Sequence, residues 1–114
     1  MAYRVTVRRG PRVERERFGE LAPALRLIET RGRELEGEAP GLAVGGRVAE
    51  RFEPVQQVVA RLELAGPGRL RAGVDVRGDG SSEGYTGRLR RQVLEQRRGE
   101  SAYDALRRTL KART

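Results

Sequence analysis

Residues 69–81 read RLRAGVDVRGDGS, and this stretch decides the fold. Apolar side chains alternate with mostly polar ones through it, with Leu70, Ala72, Val74 and Val76 on one side and Arg69, Arg71, Asp75 and Arg77 on the other. A period of two predicts a strand with one buried side. Gly78-Asp79-Gly80-Ser81 then predicts a hairpin turn, because Asp-Gly suits positive φ. The sequence therefore predicts an antiparallel pair of strands here.

Further strands are predicted on both sides of this stretch. The return strand is expected over about residues 83–96, with Tyr85, Leu89 and Val93 at one parity and Arg88 and Arg90 at the other. The preceding strand is expected over residues 55–64, and Gly66-Pro67-Gly68 supplies the turn. In that strand one side is predicted to hold Val58, Ala60, Leu62 and Leu64, and the other Val59, Arg61 and Glu63.

The N-terminal residues predict another hairpin. Tyr3, Val5 and Val7 alternate with polar residues, and Gly10-Pro11 is a turn signal. Residues 13–18 read VERERF and are expected to form the second strand, with charges that pair across the hairpin. Because Arg and Glu also favour helix, an early helix start is the alternative for this segment.

A first helix is predicted over residues 20–36 from apolar residues at helical spacing. Proline is tolerated in a first turn, so Pro23 places its start near Leu21 or Ala22. Residues 37–46 read GEAPGLAVGG and are expected to be a flexible connector. Val48 and Phe52 are assigned to a short strand that Pro54 ends or bends.

The final helix has the clearest signals. Ser101 is the expected N-cap, and Asp104 stands three residues on as a variant capping box. Tyr103, Leu106 and Leu110 form an apolar stripe. The chain is therefore predicted to be a single α+β domain over residues 1–114. We expect a twisted antiparallel sheet of four to six strands with two helices on one face, in the order ββ-α-(β)-βββ-α.

Composition excludes several kinds of chemistry. The chain has no Cys and no His, so it offers no disulfide, thiolate metal site or neutral-pH histidine base. We therefore expect neither a cofactor nor an enzyme. Lys111 is the only lysine, and the remaining basic side chains are arginine, whose planar fork suits phosphates and carboxylates. A GC-rich genome or heat tolerance also produces such a bias.

The positive charge is uneven. The net charge is +8; residues 1–57 hold 11 Arg against 9 Glu, and the rest hold 12 Arg and one Lys against 7 acids. This asymmetry indicates a polyanionic partner, nucleic acid or ribonucleoprotein first. The candidate phosphate-binding residues lie on the predicted hairpin and at its end: Arg69, Arg71, Arg77, Arg88, Arg90, Arg97 and Arg98. Their expected place is the sheet face that the helices leave free. No aromatic side chain is expected there to stack bases.

Other interpretations of the same residues remain open. Asp75, Asp79 and Glu83 are either turn and ion-pair residues or, less simply, ligands of a divalent cation. Tyr85 is either a half-buried strand aromatic or forms a hydroxyl pair with Thr86. The alternative function is a protein-interaction or assembly module that forms a homo-oligomer, such as a homodimer, through a sheet face or edge. The expected edges are residues 3–9 and 83–96.

Two families of RNA-associated proteins have similar element orders. The α-β-β-β-α order and the spacing of Gly99, Ser101 and Ala105 resemble double-stranded RNA-binding domains over about the last dozen residues. Where that family carries a lysine pair, this chain has Ala102 and Tyr103. The β-α-β-β-β-α order with a basic last helix resembles ribosome-hibernation factors in topology. Both resemblances imply RNA as the partner.

A membrane location is not expected. No apolar run approaches the ~20 residues that span a bilayer. The first five residues, MAYRV, do not begin an apolar signal-peptide segment. We therefore expect a cytoplasmic protein with no membrane partner.

Overall fold

The computed structural model describes residues 2–43 and 57–113, and all structural statements concern these residues. The elements in chain order are β1 (Tyr3–Arg9), β2 (Arg12–Phe18), α1 (Leu21–Ala43), β3 (Val58–Gly66), β4 (Leu70–Arg77), β5 (Ser82–Thr86), β6 (Gln92–Val93) and α2 (Ala102–Arg113). The strands form one antiparallel sheet in the order β2-β1-β3-β4-β5-β6. Both helices pack on the same side of it, which confirms the predicted fold class.

The core lies between the helices and the apolar side of the central strands. Its largest fully buried side chains are Ile28, Leu35, Leu62, Leu64, Leu106, Leu110, Val5, Val74 and Val76. The alternation read from the sequence is thus confirmed in β1, β3 and β4, whose polar residues face the other way. Val58 departs from this pattern. The register shifts between Val58 and Ala60, and Val58 is exposed instead of joining the core.

The predicted hairpin after β4 is confirmed. The Arg77 amide donates to the Ser81 carbonyl at 2.8 Å, and Gly80 has a φ of +87°. Asp79 Oδ1 accepts hydrogen bonds from both the amide and the hydroxyl of Ser81, at 2.9 and 2.6 Å. The Asp-Gly turn therefore aligns β4 with β5, which pairs Ala72 with Thr86.

The first helix is longer than predicted. It runs through Ala43, and so into the stretch predicted to be a flexible connector, residues 37–46. The reason is burial: Ala39 extends the apolar face of Ile28 and Leu35 by one more turn and is fully buried. Pro40 lies inside the helix and cannot donate to the carbonyl four residues before it. The other connector residues and the strand predicted around Val48 lie outside the described residues.

The long return strand predicted over residues 83–96 does not form. Strand β5 ends at Thr86, and Gly87 adopts a φ of +96°. A side chain at Gly87 would also collide with the Arg90 carbonyl, so this position requires glycine. The chain turns over residues 87–91 and returns as the two-residue strand β6, in which Val93 pairs with Tyr85. Leu89 lies in this bend and is 94% exposed.

The capping box of α2 is confirmed. The Asp104 amide donates to Ser101 Oγ at 3.1 Å, and the Ser101 amide donates to Asp104 Oδ2 at 3.0 Å. Ala102 and Tyr103, which stand where double-stranded RNA-binding domains have a lysine pair, are buried in this protein. The surface by which that family holds phosphates therefore does not exist on this helix.

The sheet edges differ from those predicted. Strand β1 (Tyr3–Arg9) lies inside the sheet between β2 and β3, so it is not an edge. The edges of the described sheet are β2 and the short β6, the latter inside the predicted 83–96 segment. Neither helix in the described part of the chain is long and apolar enough to cross a membrane.

The ion pair between Glu100 and Arg108, just before and within α2, should make the stability of the protein depend on pH in the acid range. The Arg108 guanidinium donates to both carboxylate oxygens of Glu100, at 2.8 and 2.9 Å, and this lowers the pKa of Glu100 to about 2. A carboxyl group with a depressed folded-state pKa stabilises the protein above its unfolded pKa of about 4.3. That contribution is lost as the pH falls toward 2. We expect the melting temperature to fall across this range and to be nearly constant from pH 6 to 8, because no histidine titrates there.

Circular dichroism melts of wild type and Glu100→Gln check this. The variant should be less stable at pH 7 and lose less stability between pH 4.5 and 2. Glu20→Gln is the matched control, since the Glu20 side chain makes no ion pair with a described residue. If Glu100→Gln and wild type lost the same stability in acid, the Glu100 carboxylate would not be the group responsible for the loss.

Candidate functional site

The side of the sheet opposite the helices, named here the open face, carries seven arginines and three acidic residues. The pairing register assigns it Arg15 and Arg17 of β2, Arg4, Thr6 and Arg8 of β1, Arg61, Glu63 and Ala65 of β3, Arg71, Gly73, Asp75 and Arg77 of β4, and Glu83 and Tyr85 of β5. None of these residues belongs to the buried core cluster, and no described helix packs on them. Of the arginines predicted for this side, Arg71 and Arg77 therefore lie on the open face.

One cross-strand row at the end of the open face, named here the basic row, contains three arginines and no acidic residue. Arg17 pairs with Arg4, Arg4 pairs with Ala65, and Ala65 pairs with Arg71. Neighbouring strands are about 4.8 Å apart, so the backbones at Arg4 and Arg71 are about 10 Å from each other, with the small Ala65 between them. Like charges directly opposite one another destabilise a strand pair, as Arg17 and Arg4 do here. A polyanion laid across this row would offset that repulsion.

A shallow depression of about 250 Å³ adjoins this row. It is lined by Arg4, Thr6, Arg8, Glu63, Leu64, Ala65, Arg71, Ala72, Tyr85, Gly87, Arg88 and Arg91. The Gly87 amide donates to the Arg71 carbonyl at 2.8 Å, so the bend at residues 87–91 begins where the basic row ends. This bend brings Arg88 and Arg91 to the rim of the depression.

Away from the depression, acids on the open face neutralise their neighbours. Arg61 donates to Asp75 through two nitrogens, at 2.7 and 3.3 Å. Arg77 donates to Glu83 at 2.9 Å. The rest of the face therefore offers less uncompensated charge than the basic row does.

Around the depression, several guanidinium groups have no such partner. Arg8 is paired there, with Glu63 at 3.0 Å. By contrast, Arg4, Arg71 and Arg88 make no ion pair with any described residue. Arg71 only donates to the carbonyl of Leu70, its chain neighbour. The excess positive charge is therefore concentrated at one end of the open face.

Tyr85 lies beside the depression and not on the core side. Its partner across the sheet is Gly73, and a methyl group on Gly73 would lie 2.6 Å from the phenol oxygen. The Arg91 guanidinium carbon lies 4.4 Å from the ring centroid of Tyr85, a cation–π contact. Burial raises the pKa of Tyr85 to about 12, so the phenol is neutral at physiological pH. An aromatic residue therefore lies on this face, contrary to the prediction, but its ring is buried and offers no exposed surface for a base to stack on.

The hydroxyl pair proposed from the sequence does not form. Tyr85 pairs with Gly73 on the open face, whereas Thr86 pairs with Ala72 on the helix side. Adjacent residues of one strand point to opposite faces, and Thr86 is buried.

The predicted arginines are divided among different parts of the surface. Arg71 and Arg88 line the depression. Arg77 shares the open face but stands at the other end of β4. Arg90 lies in the bend with Arg88 and is exposed, yet it does not line the depression. The two-strand arrangement predicted for Arg88 and Arg90 was wrong because the strand that would carry them ends at Thr86.

The other three predicted arginines lie elsewhere. Arg69 stands in the β3–β4 turn with a φ of +61°, which L-residues rarely adopt. It lines a second depression, together with Leu21 of α1 and Leu110 of α2, so it faces the helix side. Arg97 and Arg98 are exposed in the segment between β6 and α2 and do not line the basic depression.

Sequence reasoning missed Arg4, Arg8 and Arg17, and it did not select Arg91. The alternation of β1 already placed Arg4 and Arg8 on a polar side. What the sequence lacked was the strand order, which puts β1 next to β3 and so brings Arg4 near Arg71. Arg91 was expected only to add charge at the end of the strand, because its place at the rim of the depression depends on the bend at Gly87.

The metal interpretation of the acidic residues is not supported. Asp75 pairs with Arg61, Glu83 pairs with Arg77, and Asp79 accepts hydrogen bonds from Ser81 within its own turn. Within the described ranges, no group of His, Cys, Asp and Glu side chains is placed to hold a metal ion.

Comparison with known proteins gives no relative. No family model matches the chain, and no significant match is found among curated proteins or solved structures.

Proposed function

We propose that this protein is a small, non-enzymatic module that binds nucleic acid or ribonucleoprotein through phosphate contacts on its open face. The observation that carries the proposal is the group formed by Arg4, Arg71 and Arg88, which surrounds a depression and has no acidic partner among the described residues. Arginine forks bind phosphate oxygens in pairs, and each neutralised phosphate releases counterions. The net charge of +8 attracts a polyanion from a distance.

Sequence-independent binding fits this surface better than reading of base edges in a duplex. The basic row is part of a sheet, and no described helix projects from it to enter a major groove. Arginines that form no ion pair within the protein can bind phosphates whatever the nucleotide sequence. DNA and RNA therefore share the chemistry that this face recognises, and the binding assay compares them directly.

The proposal predicts a strong salt dependence. If Arg17, Arg4, Arg71 and Arg88 each hold a phosphate, log Kd should change with log salt with a slope of magnitude about 3. The double variant Arg4→Glu/Arg71→Glu should weaken binding at least tenfold and reduce the slope by about 1.5. Fluorescence anisotropy with labelled RNA and DNA oligonucleotides between 50 and 300 mM salt measures both quantities.

A matched control separates this site from general charge. Arg12→Glu/Arg26→Glu changes the net charge equally, but Arg12 lies on the helix side of β2 and Arg26 is exposed on α1. The control should bind within about threefold of wild type. Equal weakening by both pairs would locate the binding elsewhere, and no binding by the wild type at low salt would reject the function.

Self-association through the free edge is the alternative, and the charges of β2 oppose it. A twofold axis perpendicular to the sheet pairs the open-face side of one β2 with the same side of its copy. Arg15 and Arg17 would then meet each other, while Glu14 and Glu16 would meet on the opposite side. Like charges facing one another across strands are destabilising. The charged side chains of β2 instead resemble those that protect an edge strand from pairing with another chain.

A further inference from the structure

The Arg91 guanidinium is held as a flat platform at the rim of the basic depression. Its carbon lies 4.4 Å from the centroid of the Tyr85 ring, so one side of the guanidinium is covered by the phenol. Asp75 Oδ2 lies 3.9 Å from Arg91 Nη1 and attracts it from the edge. Asp75 is itself anchored by the bidentate bond from Arg61. The plane of Arg91 is therefore fixed from two directions.

Arg91 itself stays partly accessible from the depression. The Arg91 side chain is 33% exposed and lines the depression, whereas Tyr85 beneath it is only 5% exposed. A ligand therefore meets the guanidinium first and cannot stack on the phenol directly. Guanidinium planes stack on nucleobases as aromatic rings do, and a base on Arg91 would extend the stack that begins with Tyr85.

The neighbouring charges supply what a nucleotide needs beside its base. Arg88 and Arg71 border the same depression without acidic partners among the described residues. Phosphates flanking a base stacked on Arg91 would lie within their reach. Bases in a regular duplex are covered by their own neighbours, so only an unpaired base offers a free face to this platform.

We infer that the site holds an unpaired nucleotide, with its base stacked on Arg91 and its flanking phosphates on Arg71 and Arg88. The inference rests on the proposed function and narrows its ligand to nucleic acid with single-stranded positions. It also assigns Arg91 a role different from that of the other arginines, because the shape of its side chain matters as much as its charge.

The test uses single-stranded oligonucleotides that carry 2-aminopurine, whose fluorescence falls when the base stacks, and a hairpin duplex of equal charge. Wild type should quench the probe several-fold. Arg91→Lys keeps the charge but removes the plane, so it should lose most of the quenching. It should bind the single strand about tenfold more weakly and the duplex within twofold of wild type. Arg26→Lys is the control that should retain the quenching, because Arg26 is exposed on α1, on the helix side, away from the depression.

The outcomes separate the two proposals. Failure of wild type to bind any oligonucleotide at low salt rejects the proposed function and this inference with it. Binding of both ligands without quenching, or equal weakening of single strand and duplex by Arg91→Lys, overturns the stacking role alone. Thermal melts should show that Arg91→Lys folds as wild type does, since Arg91 lies in an exposed bend.

Discussion

Gly73→Ala should lower the free energy of unfolding by about 3 kcal/mol, because β4 has no room for a methyl group at this position. The added carbon would collide with the backbone carbonyl of Leu62 and lie 2.6 Å from the Tyr85 hydroxyl. Gly73 stands in the middle of the sheet, between Glu63 and Tyr85, so the carbonyl cannot move without disturbing the β3–β4 ladder. Urea denaturation followed by circular dichroism measures the loss.

A second glycine provides the control for Gly73→Ala. Gly37 lies on the exposed side of α1, and a methyl group there would meet no atom within 4 Å. Gly37→Ala should therefore stabilise the protein by about 0.5–1 kcal/mol, since alanine has the higher helix propensity. The two substitutions add the same methyl group, and they should change the free energy of unfolding in opposite directions. A Gly73→Ala protein as stable as wild type would mean that β4 does not approach Tyr85 as closely as described.

Tyr103→Ala should lower the free energy of unfolding by about 3–5 kcal/mol, the range for removing a large aromatic side chain from a core. Tyr103 is 3% exposed, and its ring fills the space beside Gly32, where any side chain would collide with it. Its hydroxyl donates to Glu36 Oε2 at 2.6 Å, and the Ser82 hydroxyl donates to the same oxygen at 2.6 Å. One residue of α2 thus joins α1 and β5.

Tyr103→Phe separates the hydrogen bond from the packing. It should cost about 1–2 kcal/mol, because the bond to a carboxylate is lost while the ring remains. Tyr3→Phe is the matched control, since the Tyr3 hydroxyl makes no hydrogen bond to a described residue. It should change stability by less than about 0.5 kcal/mol. Tyr103→Phe and Glu36→Ala together should cost less than the sum of the two single variants. Additive effects would show that the hydroxyl and the carboxylate do not interact.

The candidate site was predictable only in part. Arg71 and Arg88 were selected from their charge and their position around a turn, and both line the depression. Arg69 was selected by the same parity argument and lies on the helix side, because the turn that contains it sets its direction. Arg4 carried an equally good strand signal, but nothing in the sequence stated that β1 pairs with β3. Parity assigns the two sides of one strand, not the neighbour it will pair with.

The amino-acid sequence by itself determined part of the local structure of this protein. Alternation at residues 70–76, the Asp79-Gly80 turn and the Ser101 cap each depend on contacts within a few residues, so they could be read directly. Only the tertiary structure decided that β1 lies inside the sheet, that the chain bends at Gly87, and that Arg4, Arg71 and Arg91 surround one depression. The physical reason is that strand order follows from packing the two helices and the central strands around a common core. The packing energy comes from contacts between residues far apart in the chain, so it cannot be predicted from a local sequence pattern.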